Sequence, residues 1–217
     1  MTKNYCRVNL HVSIRSARIA FLLLILTLIS LQGLANSRSV NLAEMISHAG
    51  RVVHGRVVEV REGVHPFHEQ VAVTFLKVQV IEMLKGGAAR EVTFMQYGNS
   101  TRQYVAHLPK YSIGEEIVLF LYPESKLGLT SPVGQGQGKF VVRTDTRSGQ
   151  RVLLNEHLNR ALFARLDAAK VASKLALNSP EREVVTQPEE RAGTGLDVST
   201  FRSLVRKFAA NPNANLQ

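Results

Sequence analysis

From Arg51 onward the hydrophobic residues fall into short runs separated by turn formers, and most of these runs alternate as strands do. Arg51 to Arg61 is rich in valine and predicts a strand, closed by Glu62-Gly63 and a loop through Pro66. Val71 to Leu84 predicts a second strand, long for a single element. Its apolar phase switches: Val71, Val73 and Phe75 share one face, then Leu76, Val78 and Val80 share the other. A period-2 chain does this through a bulge or sharp bend, or where both faces are buried. Lys85-Gly86-Gly87 is a turn and Glu91 to Tyr97 a third strand, followed by a polar loop over 98–112. Glu116 to Tyr122 is a fourth strand, and unbroken apolarity from Ile117 to Leu121 places it centrally. Gly138 to Thr144 and Arg151 to Leu154 complete a set of five to six strands, joined by a turn at Thr146 to Gly149. The expectation is a mainly β (α+β) domain, a small five- to six-stranded OB-like antiparallel barrel over 36–154 with flanking helices.

Helical spacing frames that region. Asn41 and Glu44 form a capping-box pattern ahead of a short helix through His48, stopped by Gly50. Leu158, Leu162 and Leu166 recur at spacing four, which predicts a helix over 155–177 capped by Asn155. Residues 178–196 hold two Pro, two Gly and several charges, and read as a flexible linker. Asp197 is the expected N-cap of an amphipathic helix over 197–209, with Val198, Phe201, Leu204, Val205 and Phe208 as its apolar stripe. Residues 210–217 are a tail.

The N-terminus follows a different logic. Lys3, Arg7, Arg15 and Arg18 precede the apolar run Ile19 to Leu31, with no acid among the first eighteen residues. Gly33 and Ala35 then supply the small residues that a signal peptidase requires. Residues 1–35 therefore read as a signal peptide cleaved after Ala35, or after Ser37 in a second register. The alternative is an uncleaved anchor, in which Ile19 to Ala35 spans a thin membrane by tilting. Export implies a periplasmic or secreted product.

Composition gains meaning once the leader is removed. Taking its four basic residues from the 27 Lys+Arg leaves 23 against 17 Asp+Glu, a net of +6 rather than +10. The single cysteine, Cys6, goes with the leader, which excludes disulfides, a thiol nucleophile and Cys-based zinc sites from the mature chain. The remaining arginines are scattered, and with no Trp there is no run of basic and stacking residues to bind nucleic acid.

Catalytic patterns are absent. There is no G-x-S-x-G and no H-E-x-x-H. Gly134 to Lys139 has the look of a phosphate loop but lacks the first Gly, where Val133 stands, and the Ser or Thr after Lys139, where Phe140 stands. It reads as a loop entering a strand, with no cofactor. His65, His68 and Glu69 are the metal-ligand candidates: His-x-x-His in a Pro-containing loop can converge two imidazoles beside a carboxylate, with His54 or His107 to complete the set. The competing reading is four unrelated histidines.

Gly55-Arg56-Val57-Val58, then Leu84-Lys85-Gly86, then Glu91-Val92-Thr93-Phe94, then Ile113 through Leu121 occur in an order that resembles the OB-fold barrel of the netrin/TIMP-like class, over residues 40–145. Gln137-Gly138-Lys139-Phe140 is similar to a segment of uncharacterised exported bacterial proteins. The resemblance implies a barrel and a binding habit. It does not bring the inhibitory wedge of animal metalloproteinase inhibitors, which is an N-terminal Cys that chelates the target's zinc, since a chain starting at Asn36 or Arg38 has none. The combined expectation is an exported, non-catalytic binding protein whose partner is a protease or another envelope component. Its alternatives are a metal-binding protein or metal-dependent hydrolase built on 65–69, and a membrane-anchored accessory protein.

Overall fold

The computed structural model describes residues 38–105, 107–187 and 195–212. The predicted leader and its cleavage sites, residues 188–194 of the predicted linker and most of the predicted tail lie outside the described residues. No helix among the described residues is long and apolar enough to cross a membrane.

Helix α1 (Leu42–His48) has the expected capping box: the Asn41 side chain accepts from the Glu44 amide, and the Glu44 carboxylate accepts from the Asn41 amide. Strands β1 (Arg51–His65), β2 (His68–Lys85), β3 (Glu91–Tyr97), β4 (Glu116–Leu121), β5 (Lys139–Thr144), β6 (Arg151–Asn155) and β7 (Leu196–Asp197) follow. They form one antiparallel sheet in the order β3-β2-β1-β4-β5-β6-β7.

The architecture is mainly β, but it corrects the expected barrel. The sheet has seven strands, not five or six, and it is open, with β3 at one edge and β7 at the other. The sheet nevertheless curls: Val92 and Phe94 of β3 share one apolar cluster with Ile117 and Leu119 of β4, although β2 and β1 lie between them. Two features replace closure. The β3 edge is covered by a loop, where the Thr130 amide donates to the Met95 carbonyl at 2.9 Å beside a bridge to Leu129. The convex face, which a small barrel leaves to water, carries helices instead.

Bulges make this double-faced sheet possible. Register shifts against β1 leave Leu84 and Ile81 of β2 and Val58 of β1 as extra residues. The predicted phase switch between Phe75 and Leu76 is not one of these bulges. Register there is unbroken, with Arg61 opposite Phe75 and Val60 opposite Leu76, and the apolar residues change face because Val73 and Leu76, on opposite faces, are both buried. The extra residue at Ile81 turns Glu82 toward the helices, where Arg202 and Arg206 meet it, and Met83 and Leu84 then alternate to the concave and helix sides. The extra residue at Leu84 keeps Lys85 on the helix side too, where it donates to the Ile46 and Ala49 carbonyls.

The helix-side core joins Leu42, Met45 and Ile46 of α1 with Phe120, Phe140 and Leu153 of the sheet. Helices α2 (Ala168–Lys174), α3 (Ser179–Thr186) and α4 (Val198–Ala210) close it. Helix α4 has the predicted cap, with Asp197 accepting from the Thr200 amide at 2.8 Å, and its whole predicted stripe is buried. The Phe201 ring lies 4.7 Å from Phe140 and 6.2 Å from Phe120, in tilted and edge-on contacts.

Two other expectations fail. The predicted helix over 155–177 exists only as α2. Residues 156–165 are successive tight turns, with positive φ at Leu158, Asn159, Ala161 and Arg165. The cause is a pair of asparagines: Asn155 Oδ1 accepts from the His157 and Asn159 amides, and the Asn159 side chain bonds the Asn155 amide and the Leu153 carbonyl. Such side chains offer the backbone an alternative to the helical ladder. The predicted linker over 178–196 contains α3, started by a second capping box of Asn178 and Glu181 with Pro180 in the first turn, and anchored by buried Val184 and Val185.

The Gln137-Gly138-Lys139-Phe140 segment is a structural hub. Gly134 to Gly138 passes through a 3-10 turn over Gln135–Gly138. The Gln137 side chain accepts from the Val40 amide, and its carbonyl accepts from Asn155 Nδ2. A Cβ on Gly138 would sit 2.3 Å from the Val133 carbonyl oxygen, so only glycine fits there.

Candidate functional site

The predicted metal candidates come out as follows. β1 runs to His65 and β2 starts at His68, so these residues close a two-residue hairpin turn at Pro66-Phe67 rather than sit in a long loop. Their rings approach to 4.9 Å between centroids. However, His65 is buried and both its nitrogens are engaged: Nε2 lies 2.8 Å from the Leu127 carbonyl, and Nδ1 accepts from the Phe67 amide at 3.2 Å. Nε2 therefore carries the proton, which leaves no lone pair for a metal. Glu69 and His107 are exposed, and His54 belongs to a different cluster. Among the described residues no group of three or more His, Cys, Asp or Glu is arranged to hold a metal ion.

His54 is the centre of a charged cluster on the helix side of the sheet. It is 2% exposed, and its Nε2 lies 2.8 Å from Glu116. Glu116 also receives Arg151 and Arg56, while Glu82, the cross-strand partner of His54, receives Arg202 and Arg206 from α4. Burial lowers the His54 pKa below its ordinary value, against the opposing pull of Glu116. Burial pushes Glu116 upward, but hydrogen bonds from His54 and Arg151 bring it to a net value below the usual carboxylate range. A carboxylate held by three donors is fixed in place rather than free to take a substrate's proton. The cluster clasps α4 to the sheet.

The third location was hidden in the polar loop. At the distal end of the β1–β2 hairpin, the concave face of the sheet opens into a cavity of about 260 Å³. One wall is the row Glu62, Thr74 and Gln96, which are cross-strand neighbours on β1, β2 and β3. The next row, Val60, Leu76 and Phe94, leads into the concave-side core. The opposite wall is the 98–112 loop, which contributes Tyr104, Val105, Leu108, Pro109 and Tyr111. Tyr97 and Tyr104 stand 39% and 69% exposed at the rim.

The loop is built to hold this shape. Gly98 has φ +84°, and a Cβ there would lie 2.9 Å from both the Gln103 carbonyl oxygen and the Val105 side chain, so the chain turns sharply off β3. Asn99 accepts from the Arg102 amide at 2.8 Å and donates to the Gly63 carbonyl at 3.1 Å. Glu62 accepts from the Ser100 amide and the Thr101 hydroxyl, and hydrogen bonds from Ser100 first, then Thr101, hold its carboxyl below the usual range. Gln96 donates to the Pro109 carbonyl and accepts from the Tyr111 hydroxyl. Burial, then the charges of Glu115 and Glu156, push that hydroxyl well above the ordinary tyrosine range, so it remains a donor. Buried Lys139 fixes the far end of the loop: it pairs with Glu115 at 2.7 Å, donates to the Lys110 carbonyl and sits 4.7 Å over the Tyr111 ring.

Sequence reasoning passed over this site. Its signal was three tyrosines, 97, 104 and 111, in and beside a loop otherwise read as polar. No family model matches the chain, and no curated protein matches it.

Proposed function

We propose that this chain is an exported, non-catalytic binding module, delivered by a leader over residues 1–35 that is cleaved near Ala35. Its partner is another exported or envelope protein, a protease being one candidate class, and nucleic acid is not a ligand. The observation that carries this reading is the tyrosine-rimmed cavity at the open end of the curled sheet. A cavity with apolar walls and a few fixed polar groups is the usual form of a binding site, and the mouth of a β structure is a common place for one. Among the described lining residues, the Thr74 hydroxyl donates to the Gly98 carbonyl and the Tyr111 hydroxyl to Gln96, neither to a base. The likeness to the netrin/TIMP-like barrels belongs to the same proposal, as a likeness in binding habit.

The test is site-specific photo-crosslinking in the exporting cell. A photoreactive residue at position 104, on the cavity rim, is expected to give a discrete protein adduct. The same residue at position 158, an exposed leucine in the turn region, is expected to give none. Equal patterns at both positions, or no adduct at the rim, refute the proposal. The metal reading predicts a rise in melting temperature with added zinc through binding to the folded state. The engaged nitrogens of His65 predict no rise.

A further inference from the structure

We infer that the cavity takes a single uncharged aromatic ring, which deepens the binding reading above and rests on it. Size sets the first bound. An apolar cavity of about 150 Å³ accommodates benzene, so about 260 Å³ holds one ring or a fused bicycle and excludes a chain of sugars or nucleotides.

The wall sets the chemistry. Its inner polar side chains are already engaged with the wall itself: Thr74 donates to the Gly98 carbonyl at 2.9 Å, Gln96 bridges Pro109 and Tyr111, and Glu62 holds Ser100 and Thr101. A polyol seated inside would find the inner polar partners engaged, and an unmet hydrogen-bonding group costs more on burial than an apolar one gains. A charged ligand fares no better, because the lining carries one committed carboxylate and one exposed lysine, Lys110. What remains inside is mostly carbon, and the rim adds the rings of Tyr97 and Tyr104 with their hydroxyls toward solvent, which suits edge or offset contacts with an aromatic guest. The ring can arrive as a free small molecule or as a side chain of the partner polypeptide, and the two sources share this chemistry.

Amide-resolved NMR titration of the purified chain, as the cell processes it, tests the inference. The probe is indole, with N-acetylglucosamine and benzoate as the polyol and charged comparisons. Indole is expected to give saturable shifts at the Thr74, Gln96 and Gly98 amides with a Kd in roughly the millimolar range, as expected for so few atoms. Both comparisons are expected to bind at least about tenfold more weakly. Tyr104→Ala, at an exposed rim position, weakens indole several-fold and leaves distant resonances in place. Val60→Trp fills the cavity from the strand and abolishes the shifts. Tighter binding of N-acetyl-tryptophanamide than of indole assigns the ring to a polypeptide, and the reverse assigns it to a free molecule. A comparison that equals indole, or a folded spectrum that indole leaves unmoved, overturns the inference. If indole fails while the rim adduct at position 104 persists, the ring inference alone falls. If indole binds and no adduct forms, the protein-partner reading alone falls.

Discussion

Lys139→Met is the sharpest probe of how the cavity loop is held. The ammonium is almost fully buried, with 6% of its side chain exposed, and its partner Glu115 is 19% exposed. Removing one member of a buried pair costs about 3–5 kcal/mol, because the other charge is left uncompensated. Glu115 retains some contact with water and a long hydrogen bond from the Ser112 amide at 3.4 Å, which reduces the figure to roughly 2–4 kcal/mol. Glu115→Gln strands the more deeply buried ammonium, which keeps only the Lys110 carbonyl and the Tyr111 ring, and also costs roughly 2–4 kcal/mol. The double variant removes both charges, so its cost falls short of the sum by at least about 1.5 kcal/mol. Urea unfolding measures all three. With a slope of about 2–3 kcal/mol/M, Lys139→Met shifts the midpoint by roughly 1–2 M. The chain has no tryptophan, so tyrosine emission reports the transition, with Tyr111 inside the affected contact. A cycle additive to within about 0.5 kcal/mol, or a Lys139→Met cost below that size, refutes the idea that this ion pair anchors the loop.

Phe201→Ala removes the ring that joins α4 to Phe120 and Phe140, and is expected to cost about 3–5 kcal/mol and lower the melting temperature by roughly 10 °C or more; a fall of under about 3 °C in a calorimetric scan contradicts that packing. His54 is held neutral, so the unfolded chain binds more protons below its ordinary value of 6.5. Its contribution is complete above that pH and lost as pH falls toward the lowered folded value; His54→Gln should flatten the stability profile between pH 7 and 5, and an unchanged slope rules the residue out as its source. Gly138→Ala drives a methyl into the Val133 carbonyl and should reduce the yield of folded protein sharply, which soluble expression with circular dichroism checks; a wild-type melting curve would mean the backbone there is free to shift.

The strands were legible because alternation is a local signal: β3, β4 and β5 start within a residue of their expected positions. Sheet closure is not local. Whether β3 meets a distant strand depends on the curl produced by bulges, and a bulge shows in sequence as a broken phase without a fixed address. The leucines at 158, 162 and 166 mimic a helix, yet the asparagines at 155 and 159 decide the backbone, and their partners at Gln137 and Leu153 are visible only in three dimensions. The capping box at Asn178 was readable, but the surrounding charges and prolines outweighed it. At the cavity, tyrosines and amides identify possible contacts. Only the fold tells that the amides are already engaged.

Strand β4 gives Val118 and Phe120 to the helix-side cluster and Ile117, Leu119 and Leu121 to the concave-side cluster. Neither half can melt without stripping one wall from the other, so the described strands and helices should lose structure in one cooperative transition. The Ile117–Leu119 stretch of β4, paired with β1 on one edge and β5 on the other and shielded on both faces, should then hold the last amides among the described residues to exchange with deuterium, opening only when the whole fold does.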